Sequence, residues 1–252
     1  MIPSSPKRAD RLKALILAGG RGKRLRELED EKNKCLISYH GRPLIDYSLE
    51  NAAKIGVDEI VIVVGHLAEQ LINVFGISYQ GIRIRYVIQR EQLGVVHAIS
   101  CAQSALEGAD FLLLLGDEFF CQPDHSSLLR YFDAENAFIV CGVIQVEDLT
   151  VIRKTYSILF DKESRRILRL IEKPQNPSNA FMGTGNIIFK NEIMEFIDKT
   201  PINPQRGERE LPDLIQCAID DGRKVLFHVF ASLYVNVNTP EDATVLDTLS
   251  RG

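Results

Sequence analysis

Ala14-Leu15-Ile16-Leu17-Ala18-Gly19-Gly20-Arg21-Gly22-Lys23-Arg24-Leu25 opens on five apolar residues and halts at a glycine pair. A continuous apolar run cut by glycine predicts a short strand buried on both faces. The glycines and the cations Arg21, Lys23 and Arg24 follow at its carboxyl end, where open α/β sheets bind ligands. Glycine lets backbone N–H groups approach phosphate oxygens, and the cations supply charge. A plain strand-to-helix turn would use the same glycines, so the loop by itself leaves both readings open. Two familiar glycine-loop patterns fail on spacing. A dinucleotide fingerprint begun at Gly20 requires glycine where Leu25 stands. A Walker A loop ending at Gly22-Lys23 requires glycine at Leu17 and a hydroxyl residue at Arg24.

Outward from this stretch, apolar runs alternate with segments of helical period. Strands are predicted over 14–18, 59–64, 82–88 and 111–115, and helices over 44–54, 67–75 and 95–106. Strands apolar on both faces, alternating with helices, predict an α/β fold: a Rossmann-like three-layer sandwich with a mostly parallel mixed sheet. Past Asp117 the pattern reads as a helix over 126–132, a strand over 137–146 and a hairpin joining 157–160 to 167–171. A strand over 184–189, a helix over 193–199, a loop over 201–206, a helix over 211–221 and one or two strands within 225–237 follow. Thr239-Pro240-Glu241-Asp242 carries a cap, a first-turn proline and acids, which predicts a closing helix over 240–249. Residues 1–12 are expected to form a disordered lead-in. Without a composition break or repeat beyond them, residues 13–252 are expected to form a single domain.

Composition narrows the function classes. The chain has 252 residues, 45% hydrophobic and 25% charged, enough to bury a core without disulfide or metal support. A formal net charge of −4 with interspersed signs argues against a nucleic-acid binder. No run reaches the ~18 apolar residues of a membrane span, and the polar start lacks the apolar core of a secretory signal. Cys35, Cys101, Cys121, Cys141 and Cys217 are odd in number with no Cys-x-x-Cys pair, which suggests neither a disulfide framework nor a zinc site. Reduced, buried cysteines in a cytoplasmic protein are the expectation.

The opening loop, followed by Asn33-Lys34-Cys35-Leu36 and Gly41-Arg42-Pro43-Leu44-Ile45, resembles the sugar-phosphate nucleotidyltransferases in their short NDP-sugar pyrophosphorylase form. Asn33 stands where that family usually has proline, and Arg42 where it usually has lysine. Gln89 with Gln92-Leu93-Gly94-Val95-Val96-His97-Ala98 is similar to the family's base-recognition stretch. Gly116-Asp117 resembles its metal-binding step, Glu172-Lys173-Pro174 its sugar-phosphate motif, and Thr184-Gly185 the threonine-glycine that follows. Val237-Asn238-Thr239-Pro240-Glu241-Asp242 resembles the segment of the second metal ligand. Six matches in chain order cover nearly the whole sequence.

The resemblance implies a nucleotide-diphospho-sugar transferase fold and a Mg²⁺-dependent reaction. A sugar 1-phosphate attacks the α-phosphate of an NTP, expected to be a pyrimidine nucleotide, giving an NDP-sugar and pyrophosphate. By this likeness Ala18, Gly19, Gly20, Gly22 and Lys23 would hold the triphosphate, and Gln89 and Gly94 the base. Arg24, Lys34 and Asp117 would be catalytic, and Glu172, Lys173, Thr184 and Gly185 would bind the acceptor. Asp117 with Asn236 or Asn238 would bind Mg²⁺; an asparagine ligand brings no charge, so the metal should bind less tightly than with aspartate. Each residue also has a plainer reading: Asp117 as a turn cap, His97 as a packed helix residue, Glu172 and Lys173 as a surface pair. Glu118 should point away from Asp117 if the chain is still extended there. Ser157 stands where many relatives have a glycine beside the sugar.

The implied partners are an NTP and a phosphorylated small-molecule acceptor, with no nucleic acid or membrane and with room for a homo-oligomer. Two other readings stay open: a cytidylyltransferase for a small alcohol phosphate or phosphonate, and a non-catalytic regulatory subunit on the same fold. The length matches the nucleotidyltransferase core alone, and the hexapeptide repeat of bifunctional relatives does not occur.

Overall fold

A computed structural model of the chain describes residues 11–20 and 33–236. Its central strand is Leu12–Ala18, all seven residues of which are buried. That strand pairs in parallel with Glu59–Val64 on one edge and with Asp110–Leu115 on the other. Glu59–Val64 pairs in parallel with Ile82–Ile88 beyond it. The chain therefore builds the sheet outward in one direction, then returns to the first strand and builds in the other. Where the order reverses, connections leave to opposite faces and a crevice opens at the carboxyl ends.

Beyond Asp110–Leu115 lies Phe181–Phe189, antiparallel to it. Next come Ile139–Gln145, antiparallel to Phe181–Phe189, and Val225–Ala231, parallel to Ile139–Gln145. The register of Phe181–Phe189 shifts between Gly183 and Ile187. After the shift, Ile187 to Phe189 pair with Asp110–Leu115; before it, Met182 and Gly183 pair with Tyr156–Phe160, whose hairpin partner is Ile167–Glu172. One edge of a single strand thus serves two partners, and the sheet forks there. Glu118–Cys121 and Leu233–Asn236 form a separate two-stranded ribbon.

Six α-helices occur among the described residues: α1 (Leu44–Lys54), α2 (Ala68–Phe75), α3 (Val95–Cys101), α4 (Gln103–Leu106), α5 (His125–Ala134) and α6 (Leu211–Asp220). Strand side chains alternate between faces, and both faces are covered. Ala14, Ile16, Ile60 and Ile62 meet Ile45 and Leu49 of α1 and Leu128 and Phe132 of α5. Leu15, Leu17, Val61 and Val63 share the opposite core with Val96 and Ile99 of α3 and Leu214 and Ile215 of α6. These are the three layers that the sequence predicts.

Several boundaries differ from expectation. The helix predicted over 95–106 breaks at Ala102 into α3 and α4. The helix predicted over 193–199 is a 3₁₀ segment, Asn191–Phe196. The loop predicted over 201–206 contains Ile202–Asn203, which pairs with Glu208–Arg209. Only Cys35 and Cys141 are buried, whereas Cys101, Cys121 and Cys217 are half-buried; all five are free thiols. The closing helix predicted over 240–249 lies outside the described residues. None of the described helices is long and apolar enough to cross a membrane.

At the amino ends of the central strands, Lys13 is fully buried. Its Nζ donates to Glu59 Oε2 at 2.7 Å, Ala105 O at 2.7 Å and Glu107 Oε2 at 3.0 Å. Removing one partner of a buried ion pair strands the other charge. Lys13→Met is therefore expected to cost about 3–5 kcal/mol of folding stability, read by denaturant titration.

Candidate active site

The carboxyl ends of the central strand and of Asp110–Leu115 open onto one cavity of about 540 Å³. Ala18, Gly19, Gly20, Lys34, Gln89, Gly94 and Asp117, seven of the residues singled out from the sequence, line it together. Gln92, Arg206, Glu208 and Glu210 complete much of its wall. Gly22, Lys23, Arg24 and Asn238 lie outside the described residues.

Lys34 opens the 3₁₀ turn Lys34–Leu36, and Asn33 caps that turn by accepting from the Cys35 amide. The Asn33 side chain also donates to His66 O at 3.0 Å, and its backbone N–H donates to Gln70 Oε1 at 2.8 Å. The residue in the usual proline position therefore anchors the lysine through three hydrogen bonds. Lys34 Nζ reaches Asp117 Oδ2 at 2.6 Å, with the two side chains 12% and 26% exposed. Gly116 sits just before Asp117, where a Cβ would press on Cys35 Sγ at 3.1 Å and Leu17 O at 3.2 Å. Glycine there lets the chain turn tightly against the end of the first strand. Burial, with the Asp117 charge second, pushes the Cys35 thiol far up, so it stays neutral.

Gln89 is buried, and its Nε2 donates to Gly94 O at 3.1 Å and contacts His97 Nδ1 at 3.0 Å. Both amide hydrogens are thereby engaged, which fixes the side chain with Oε1 toward Gly19. His97 is thus a packed, hydrogen-bonded residue that orients Gln89. Gly94 has φ +90°, and a Cβ there would lie 2.5 Å from Glu208 Oε2. Glycine meets both demands.

The residues assigned to the acceptor separate into two groups. Glu172 Oε1 accepts from Lys173 Nζ at 2.9 Å and lies 3.8 Å from Arg206 Nη1, which also pairs with Glu210 at 2.9 Å. Burial raises the Glu172 carboxyl above its ordinary range. Thr184 is instead buried, donating its hydroxyl to Gly142 O at 2.8 Å. Gly185 packs at the fork, where a Cβ would collide with Leu115, and its N–H donates to Glu118 Oε2 at 3.2 Å. Ser157 is fully buried, its hydroxyl without a protein partner, and it does not line the cavity. Arg206, Glu208 and Glu210 did not stand out in the sequence. The expected loop ends at Arg206 and leaves Gly207 to Glu210 unassigned, although a charge–glycine–charge step beside a helix start was available as a signal.

Glu118 is buried and hydrogen-bonded to interior groups instead of lining the cavity with Asp117, although the chain turns at Gly116-Asp117 and is not extended there as the expectation required. Burial, with the neighbouring Asp117 charge second, pushes its carboxyl up to about 8, while hydrogen bonds from Tyr234 and Gly185 pull it back.

The nucleotidyl transferase family pattern matches residues 13–235. The chain belongs to the sugar-phosphate nucleotidyltransferase family. It is similar to the UTP–glucose-1-phosphate uridylyltransferase AglF of Haloferax volcanii, 30% identical over 92% of this chain and 93% of that protein. It is also similar to the low-salt glycan biosynthesis nucleotidyltransferase Agl11 of the same organism, at 28% identity over 92% of this chain. The chain spans 64% of the length of Agl11. Among solved structures, a UDP-glucose pyrophosphorylase complexed with UDP-glucose superposes with a TM-score of 0.84 at 20% identity, covering 96% of this chain and 98% of that one. The UTP-bound UGPase of Acinetobacter baumannii gives 0.82 at 19% identity, covering 95% and 93%. Both share the nucleotidyltransferase fold.

Within this family member, no group of three His, Cys, Asp or Glu side chains among the described residues is placed to cage a metal. Of the carboxylates that line the cavity, Asp117, Glu208 and Glu210, Asp117 follows the central strand Asp110–Leu115 and is already next to a cation. That donor set fits Mg²⁺, which keeps several waters and takes one or two carboxylates plus substrate phosphate oxygens.

In the interior, His125 Nε2 meets Asn186 Oδ1 at 2.7 Å. Burial lowers the His125 pKa to about 4, against an Asn186 hydrogen bond that raises it. The unfolded chain takes up this proton near pH 6.5, but the fold resists it until about pH 4. His125 should therefore remove stability as pH falls from about 6.5 to 4, by roughly 3 kcal/mol, and no more below that. The difference between wild-type and His125→Gln unfolding free energies, measured across this range, should trace that curve.

Proposed function

We propose that the protein couples an NTP to a sugar 1-phosphate and releases pyrophosphate, with UTP or dTTP and glucose 1-phosphate as the first substrates to offer. The convergence of the Gly19-Gly20 step, the Lys34–Asp117 pair and the Gln89–Gly94 pair on one cavity at the sheet's switch point carries this reading. The relative AglF, matched over nearly its whole length, is named for that chemistry.

In this reading the triphosphate lies along Ala18, Gly19 and Gly20. Lys34, held by the Asn33 cap, exchanges its contact with Asp117 for phosphate oxygens. Gln89 presents Oε1 to a base seated between Gly19 and Gly94. Arg206, poised between Glu172 and Glu210, and Lys173 receive the acceptor's phosphate, while Glu172 accepts hydrogen bonds from sugar hydroxyls. An acceptor phosphate oxygen then bonds to the α-phosphorus as the bond to the bridging oxygen breaks, and pyrophosphate leaves with that electron pair. Both reactants are anions, so the site acts by alignment and charge neutralisation and needs no protein nucleophile. Mg²⁺, held by Asp117 with Asn236 or Asn238, would supply charge neutralisation at the phosphates. Arg24 and Lys23 belong to the same reading as further cations.

Pyrophosphate release should be assayed with each NTP against sugar 1-phosphates, alcohol phosphates and phosphonates. Turnover is expected with a pyrimidine triphosphate and a sugar 1-phosphate, and should be lost on removing divalent metal. Turnover only with CTP and an alcohol phosphate would instead establish a cytidylyltransferase. No turnover and no NTP binding by calorimetry would overturn both enzyme readings. Asp117→Ala should lower kcat by about 10²-fold or more while the fold stays cooperative.

A further inference from the structure

Glu118 is a buried carboxyl one residue from Asp117, yet it faces the interior and lines no part of the cavity. Three donors from two distant segments converge on it. Tyr234 Oη donates to Oε1 at 3.1 Å, whereas the Gly185 N–H and Asn186 Nδ2 donate to Oε2, each at 3.2 Å. Asn186 is oriented in turn: its Oδ1 accepts from His125 Nε2, which sets the amide so that Nδ2 faces Glu118. His125 packs against Phe230, with ring centroids 5.1 Å apart.

The segments tied together are those that the reaction would need in register. Glu118 fixes the backbone that carries Asp117. Gly185 and Asn186 lie inside the register shift of Phe181–Phe189, where the sheet forks and ladder pairing is interrupted. Tyr234 lies on Leu233–Asn236, whose Asn236 backbone is directly opposite Glu118. Burying a carboxyl is costly unless it is hydrogen-bonded. An apolar side chain would fill this site without that cost, but would take away the acceptor that the three donors share and leave three segments untied.

The geometry points to Glu118 as a positioning residue, the hub that holds the Asp117 turn, the forked strand and the strand Leu233–Asn236 in one arrangement. The assignment rests on the nucleotidyltransferase reading for its kinetic consequence, though not for its structural one. Glu118 touches no part of the cavity, so its loss should leave NTP binding alone and disturb the alignment of the reacting groups.

The test compares Glu118→Leu, Glu118→Gln and Tyr234→Phe. Gln keeps an acceptor for Gly185 and Asn186, and the Tyr234 hydroxyl can turn to accept from its amide. Glu118→Leu is expected to lower kcat about tenfold or more with NTP KM within about twofold, and Glu118→Gln to restore most of the loss. Tyr234→Phe, which keeps the ring against Phe120, should lower kcat by about threefold with the same KM pattern. Hydrogen exchange gives a readout independent of turnover: in Glu118→Leu, residues 117–121, 184–186 and 233–236 should lose protection together. Exchange confined to residues 117–121, or a folded Glu118→Leu with wild-type kcat, would overturn the proposal. A loss of NTP affinity that matches the loss of kcat would do so too. A wild-type protein that turns over no substrate would refute the enzymatic reading alone, and hydrogen exchange would still decide the hub.

Discussion

A strand that is hydrogen-bonded on both edges and covered on both faces has only its ends free to meet solvent, and Leu12–Ala18 is such a strand. Its parallel neighbours belong to opposite directions of sheet growth, so no crossover can cover its carboxyl end. The crevice is a consequence of the topology. Gly19-Gly20 and Gly116-Asp117 emerge into it side by side because their strands are adjacent and in register. Lys34 then bridges to Asp117 across a gap that the sheet itself has set.

The parts of the structure that could be read in the sequence are those fixed by local pattern. Continuous apolar runs marked Leu12–Ala18, Glu59–Val64 and Asp110–Leu115 because both of their faces are buried, and the helices of both layers showed the spacing of one buried face. The glycine loop, Gln89, Gly94 and Asp117 were legible because each lies at a strand end or helix start. What escaped the reading depends on contacts between distant residues. The donors to the Glu118 carboxyl lie 67, 68 and 116 residues away, and no local spacing announces them. Thr184 and Gly185 were legible as a motif, but that motif does not reveal that one hydroxyl faces inward to Gly142 and one glycine packs under Leu115. Arg206 looked like a loop residue because the loop's own β pairing, Ile202–Asn203 with Glu208–Arg209, is only two residues long on each side.

The cavity's electrostatics suit anionic ligands despite the acidic composition. Its cations are held by carboxylates: Lys34 by Asp117, and Arg206 by Glu210 and, farther off, by Glu172, which also pairs with Lys173 outside the lining. A pair of this kind is already oriented, and exchanging a carboxylate oxygen for a phosphate oxygen leaves the cation satisfied throughout. The residual carboxylates are then available to sugar hydroxyls or to a cation.

Seen along the strands, the sheet has two ends of unlike character. At the amino ends, the buried Lys13 lies between Glu59, Glu107 and a backbone carbonyl, a cluster in which no member can change without stranding another. At the carboxyl ends, Arg206, Glu208 and Glu210 stand on short segments that bear little of the fold. Residues lining the cavity can therefore be exchanged while the other end holds the architecture constant. One scaffold can in this way drift among substrates without passing through unfolded intermediates.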